Sequence, residues 1–405
     1  MLKYKILIIG ILLWIFTPSQ AQIGVSDSLI MNVHAKLSHQ DFNSVFELLN
    51  PVSENIKTNS EPFILRGKAY LYAGQAGKAI LDFELAEKIK ENSASYELAQ
   101  TYASVGNAEY ACKALKKYLK TPHKKFQSDI KTDKYFEKIS NSKPWIELWK
   151  ADYYSKTELQ LNDAQFEISK NNDAQAFSIL DNIIAKNEKS TDALFMRAKL
   201  HAKNNDLKNA LRDLDKTLKN KPFDTDYLLL HAQILFQTQK YQKALIDYDI
   251  LIKKIKTDAS FFKQKALIEN ELNDFENAKS DILTYLKFYP WDSEGLYIAG
   301  LINLKAEYYL DALKYFNESI EIDNSKSAYY EARGDAYFAV KTFENAENSF
   351  SMALDLVPAG EIFFKKGLAR LAQNNIEGAC SDWEKSLNLG YFRADDYLKK
   401  YGREK

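Results

Sequence analysis

The sequence predicts an all-α fold, a solenoid of antiparallel helix hairpins, on three observations. Apolar residues recur every three or four positions in paired runs, small residues return at a fixed interval of 34, and the 405 residues hold only 14 Gly and 8 Pro. Two runs of helical period split by a short polar break describe a hairpin of amphipathic helices. A period of this length marks stacked repeats, and sheet-rich folds need more turn residues. The chain is also longer than one compact core usually organises.

Residues 1–21 read as a signal peptide. Lys3 and Lys5 precede an apolar run from Ile6 to Phe16, Thr17-Pro18 breaks it, and Ser19 and Ala21 are small residues at a cleavage site before Gln22. The run is about half of what spans a bilayer, and an uncleaved anchor is the alternative. No Cys follows it, which argues against a lipoprotein anchor. The expected location is the periplasm or cell envelope, with no integral membrane span after cleavage.

Residues 22–125 form an N-terminal repeat block. Its first unit, 26–59, is degenerate, with Val33, Phe42, Val45 and Leu49 in place but no small residues; Gly67/Ala79/Phe83 and Ala99/Ala111/Leu115 follow. Residues 126–156 break the period and carry Trp145 and Trp149 at i,i+4 spacing. They suit a bridging helix whose tryptophans pack under neighbouring hairpins, or else a binding patch.

Residues 157–390 form the C-terminal array. After Ala164/Ala176/Leu180, the residues Ala198, Ala232, Ala266, Gly300 and Gly334 follow at intervals of 34. Twelve residues beyond each lie Ala210, Ala244, Ala278, Ala312 and Ala346, and four further on Leu214, Tyr248, Ile282, Phe316 and Phe350. Gly367/Ala379/Trp383 completes the series, and Pro222, Pro290 and Pro358 close units. A small residue on each helix lets the two axes approach, and the large residue one turn on fills the space beside the crossing. Residues 391–405 read as a charged capping helix and tail, as terminal repeats require.

The period, with Gly334, Tyr337, Ala346, Phe350, Ala353 and Pro358 at consensus spacing, resembles the tetratricopeptide repeat. The resemblance covers about nine units plus the degenerate one. It implies a right-handed superhelix whose concave face, lined by the first helix of each hairpin, binds proteins, and it implies no chemistry. The carboxylate clamp of some such repeats is absent: the comparable places hold Phe195/Lys199, Leu229/Gln233, Lys263/Leu267 and Tyr297/Leu301.

Nothing in the sequence points to catalysis, a cofactor or a metal. Phosphate-binding, dinucleotide, zinc-protease and serine-hydrolase motifs are missing. The histidines (His34, His39, His123, His201, His231) are dispersed, and His201 and His231, on adjacent first helices, have no third ligand in register. Asp213/Asp215 and Asp247/Asp249 lie two apart on a helix, about 200° around, so neither pair holds one cation. Asp82, Asp213, Asp247, Asp281 and Asp382 recur at one repeat position, read as solvated or paired with a neighbouring repeat. Cys112 and Cys380 occupy equivalent places in distant repeats, too far apart to bridge.

Lys+Arg and Asp+Glu balance at 55 each, without the basic excess a nucleic-acid binder shows. The expected function is a non-enzymatic protein-interaction scaffold at the envelope, binding a peptide segment or partner domain; a glycan or peptidoglycan-binding module is the alternative. The expected groove comprises Leu229, Gln233 and Phe236, then Lys263 and Asn270, then Tyr297 and Leu301, with Leu304 beside them, then Glu331, Asp335 and Phe338. Oligomeric state is not legible.

Overall fold

The computed structural model describes residues 25–53 and 58–402. The signal segment 1–21 and its cleavage site lie outside the described residues, as do the last three residues of the tail.

Every expected hairpin is present. The first three are α1 (Asp27–Ser38) with α2 (Phe42–Ser53), α3 (Glu61–Tyr72) with α4 (Ala76–Ile89), and α5 (Ser95–Ser104) with α6 (Ala108–Tyr118). Short α7 (Gln127–Lys131), a 3-10 helix (Lys134–Ile139) and α8 (Lys143–Leu148) follow. Seven further hairpins are α9 (Lys156–Ser169) with α10 (Asp173–Lys186), α11 (Thr191–Lys203) with α12 (Leu207–Asn220), α13 (Thr225–Gln237) with α14 (Tyr241–Lys254), and α15 (Ser260–Glu271) with α16 (Phe275–Phe288), then α17 (Ser293–Lys305) with α18 (Tyr309–Ile322), α19 (Ser327–Ala339) with α20 (Phe343–Leu356), and α21 (Gly360–Ala372) with α22 (Ile376–Asn388). Helix α23 (Arg393–Tyr401) ends the described chain. Its Tyr397 and Tyr401 lie against the buried Trp383, 5.0 and 5.9 Å between ring centroids, and so cover the last hydrophobic face.

The chain divides into two compact units. Described residues up to Lys124 belong with 134–148, and 125–133 belong with Trp149 onward. The segment 126–156 is therefore not one bridging helix but several short pieces shared between the units. Trp145 is buried in the first unit, 5.2 Å from the ring of Phe136, and Trp149, just past the end of α8, belongs to the second.

Each hairpin turns through one residue in the left-handed region, from Gln40 (φ 58°) through Gly74, Gly106, Asn171, Asn205, Gln239, Asn273, Glu307 and Lys341 to Asn374 (φ 62°). The next residue's N–H returns to a carbonyl five positions back, as from Asp206 to His201 at 2.8 Å, which terminates the first helix and starts the second. Inside the hairpin the small residues give the expected close crossing. A Cβ placed on Gly334 would lie 2.5 Å from the Phe350 ring, and Gly67, Gly300 and Gly367 stand likewise against Phe83, Phe316 and Trp383.

The recurring aspartates are neither solvated nor joined to a neighbouring repeat. Asp213, fully buried, accepts from Arg197 Nε and Nη2 of its own hairpin at 2.7 and 2.9 Å. Asp82 meets Arg66, Asp247 meets His231 at 2.7 Å, and Asp281 meets Lys265 at 2.9 Å, always 16 residues apart. Asp382 departs from the interval, pairing with Arg370 at 2.9 Å. The other side of the same side chain faces backward: Arg197 to Asp181 at 2.6 Å, the His231 ring to Asp215 at 3.4 Å, Lys265 to Asp249 at 3.5 Å. The first helix lies between its own second helix and that of the preceding hairpin, so one long basic side chain reaches both. The opposed Asp213 and Asp215 thus serve successive hairpins.

Candidate interaction surface

In the second unit, first helices also touch their counterparts in the next hairpin, at α9–α11, α11–α13, α15–α17 and α17–α19, and so form an inner row. The expected groove residues lie on this row, in differing states.

On α13, Leu229 is half-buried and Gln233 exposed. Both line a cleft of about 430 Å³, with Ile255 and Phe261 on its apolar side and Thr225, Asp226, Asp258, Ser260 and Gln264 on its polar side. An apolar patch beside amide, hydroxyl and carboxylate groups suits a peptide side chain and its backbone. Phe236, one turn beyond Ala232, packs against the core, its ring 5.6 Å from Tyr241.

On α15 two expectations are corrected. Lys263 Nζ is engaged by Asp292 at 3.1 Å and Glu294 at 2.9 Å. Burial works against its charge, but these carboxylates outweigh that and hold its pKa above the ordinary lysine value. Asn270 is only 4 % exposed and not offered to a partner. It sits one turn beyond Ala266, on the face that meets its own second helix.

On α17, Tyr297 stacks on Tyr329 at 4.8 Å and packs with Leu301 and Leu304 against a buried cluster around Phe316. On α19, Glu331 and Asp335 both accept from Lys365 Nζ, at 2.6 and 2.9 Å. Burial raises the Asp335 carboxyl above its usual value and Lys365 opposes this. Phe338 lies against Phe343 at 5.3 Å and, with Asp335, Phe364, Lys365 and Tyr391, lines a second cleft of about 230 Å³. Phe236, Tyr297 and Phe338 all belong partly to the core, so truncating any of them removes packing as well as surface.

The polar stitching between first helices was not anticipated. Lys365 meets Glu331, and Lys305 meets Glu271 at 2.9 Å, each pair 34 residues apart. Between α11 and α13 the Tyr227 hydroxyl donates to Asp192 at 2.9 Å, while Lys203 of α11 reaches back to Asp173 of the second helix α10 at 2.8 Å. Opposite charges one period apart were the available signal.

No group of three or more His, Cys, Asp or Glu positioned for a metal occurs among the described residues. His201 lies 3.3 Å from Asp206, and His231 is held between two aspartates. Both cysteines are free thiols, and burial pushes that of Cys112 up to about 11. No described helix is long and apolar enough to cross a membrane.

The profile of a family described as "Anaphase-promoting complex, cyclosome, subunit 3" matches residues 169–248. Over 103 residues, 25 % of this chain, the sequence is 30 % identical to RNA polymerase II-associated protein 3 of Xenopus laevis and 28 % identical to that of Xenopus tropicalis. The match spans 16 % of the length of either relative. Among solved structures, a tetratricopeptide repeat protein from Parabacteroides merdae superposes with a TM-score of 0.51 at 19 % identity, covering 60 % of this chain and 97 % of that one.

Proposed function

We propose that this chain, a solenoid of tetratricopeptide fold, is a non-catalytic scaffold at the cell envelope that takes a peptide segment or partner domain on the inner row of its first helices. The observation that carries this reading is the cleft at Leu229 and Gln233, where an apolar patch of Leu229, Ile255 and Phe261 stands beside polar side chains that can orient a backbone. Export rests on the basic, apolar and small-residue pattern of 1–21. A glycan-binding role is less well supported, because the inner-row Tyr297 already stacks on Tyr329 and Phe195 lies 4.6 Å from Tyr227. Faces occupied by other rings are not offered flat to a sugar.

A photo-cross-linking residue at Gln233 should capture a discrete protein in cells, and the same residue at the exposed Lys243 of α14 should not. Equal capture at both positions, or none at Gln233, overturns the inner-row reading. Protein isolated from the envelope fraction should begin at Gln22; an intact Met1 there overturns the cleaved-signal assignment.

A further inference from the structure

The first unit carries a surface that the inner-row reading does not use. Tyr110, Lys113, Lys116 and Lys117 follow one another at helical spacing on the exposed face of α6, while Ala111, Cys112, Ala114 and Leu115 form its buried face. Lys88, exposed near the end of α4, faces the same cleft as Lys113 and Lys117. Among the described residues no carboxylate pairs with these four lysines; Lys113 instead lies 6.0 Å from the Tyr110 ring. In a chain with equal numbers of acidic and basic residues this is local segregation of charge.

The cleft, about 360 Å³, lies among α4, α5 and α6, with Tyr102 and Tyr110 in its wall, their centroids 5.3 Å apart. Two carboxylates also line it, and both are engaged internally. Glu84 accepts from the Tyr102 hydroxyl at 2.7 Å. Glu87 accepts from the Ala94 N–H at 2.7 Å and the Ser95 hydroxyl at 2.9 Å, holding the start of α5. Against these two negative charges, Lys88, Lys113 and Lys117 leave the cleft with one positive charge in excess and with ammonium groups that have no carboxylate partner among the described residues. Beside them, Leu81 and Leu85 lie on the same face of α4 as Lys88 and are 62 % and 40 % exposed.

We infer that this cleft docks an acidic peptide segment of a partner protein, its carboxylates meeting Lys88, Lys113 and Lys117 and an apolar side chain resting against Tyr102 and Tyr110. Charge complementarity selects the anion, and the cleft between helices, walled by Tyr102 and Tyr110, receives an apolar side chain of a peptide. The exposed Leu81 and Leu85 beside Lys88 make a lipid surface the competitor that the vesicles test.

The test is fluorescence anisotropy of the full chain with a labelled Glu-Glu-Leu-Glu-Glu-Leu peptide and its Gln-for-Glu counterpart, alongside phosphatidylserine vesicles and a poly-dT oligonucleotide. The acidic peptide should bind, weaken as salt rises, and lose at least about tenfold in affinity with Lys113→Glu/Lys117→Glu. Lys113→Gln/Lys117→Gln should fall between, and Lys243→Glu should leave affinity unchanged. Both lysines are exposed, so the far-ultraviolet circular dichroism should match the parent's. No binding of the acidic peptide, equal affinity for the Gln peptide, no loss in the double variants, or lysine-dependent binding of vesicles or oligonucleotide alone overturns the inference.

Discussion

Asp213 and Asp215 are two residues apart on α12 and serve different hairpins. Asp213 is enclosed and accepts two hydrogen bonds from Arg197, whereas the Asp215 side chain is 71 % exposed and only brushes His231. Asp213→Ala removes two charge-assisted hydrogen bonds while Arg197 keeps Asp181, so it should lower stability by about 1.5–3 kcal/mol. Asp215→Ala should change it by less than about 1 kcal/mol, both read from urea unfolding. Glu269 gives a pH signature. Burial, reinforced by the nearby Asp281 and opposed by Lys265, raises its pKa to about 7. A carboxyl more basic in the folded chain than in the unfolded one favours folding while protonated. Its contribution is therefore complete below the ordinary carboxyl range, about 4.5, and is lost as pH rises toward 7. Glu269→Gln should show a shallower fall in stability between pH 5 and 8 than the parent in parallel urea titrations.

At the scale of the element, the hairpin depends on one tight turn and one close crossing. Left-handed backbone costs a side-chain-bearing residue about 1 kcal/mol relative to glycine, so Glu307→Gly (φ 63°) should stabilise by roughly that amount. Gly106→Ala (φ 78°) should destabilise comparably. At the crossing, Gly300→Ala would bring a Cβ to 2.3 Å from the buried Phe316 ring, an overpacking expected to cost about 1–3 kcal/mol. Gly77→Ala, on α4 with nothing within 4 Å, should instead stabilise by up to about 1 kcal/mol. Thermal melts of the four variants would order them.

At the scale of the whole molecule, the irregular segment determines where fragments can be cut. Phe136 and Trp145 lie beyond the third hairpin yet belong to the first unit, with Phe136 5.9 Å from Tyr96. A fragment of residues 25–148 should melt cooperatively, and 25–124, stripped of both aromatics, should melt lower or aggregate. In the second unit Ser155 forms a reciprocal capping box with Glu158 at the start of α9. A cap is worth about 1 kcal/mol, so 149–405 should melt roughly 2–4 °C above 157–405 by circular dichroism.

The hairpins, their order and their crossing residues were legible in the sequence because each is encoded locally. A helix shows its period, and a close crossing requires a small residue wherever it falls. Asn at four of the left-handed turns was a readable signal; Gln239, Glu307 and Lys341 were not, since only the geometry of the turn imposes that conformation on them. The state of the candidate surface was not legible, because it depends on what stands opposite each side chain. Lys263 reads as a free groove cation until Asp292 and Glu294 are placed beside it, and Asn270 reads as exposed until its face meets α16. The recurring aspartates were visible as a column, but their partners, for four of the five a basic side chain 16 residues back, follow only from how each first helix lies between two second helices. Periodicity along the chain determined the repeating architecture. Which charges are enclosed, engaged or open to a partner was decided by the packing of helices that are distant in sequence.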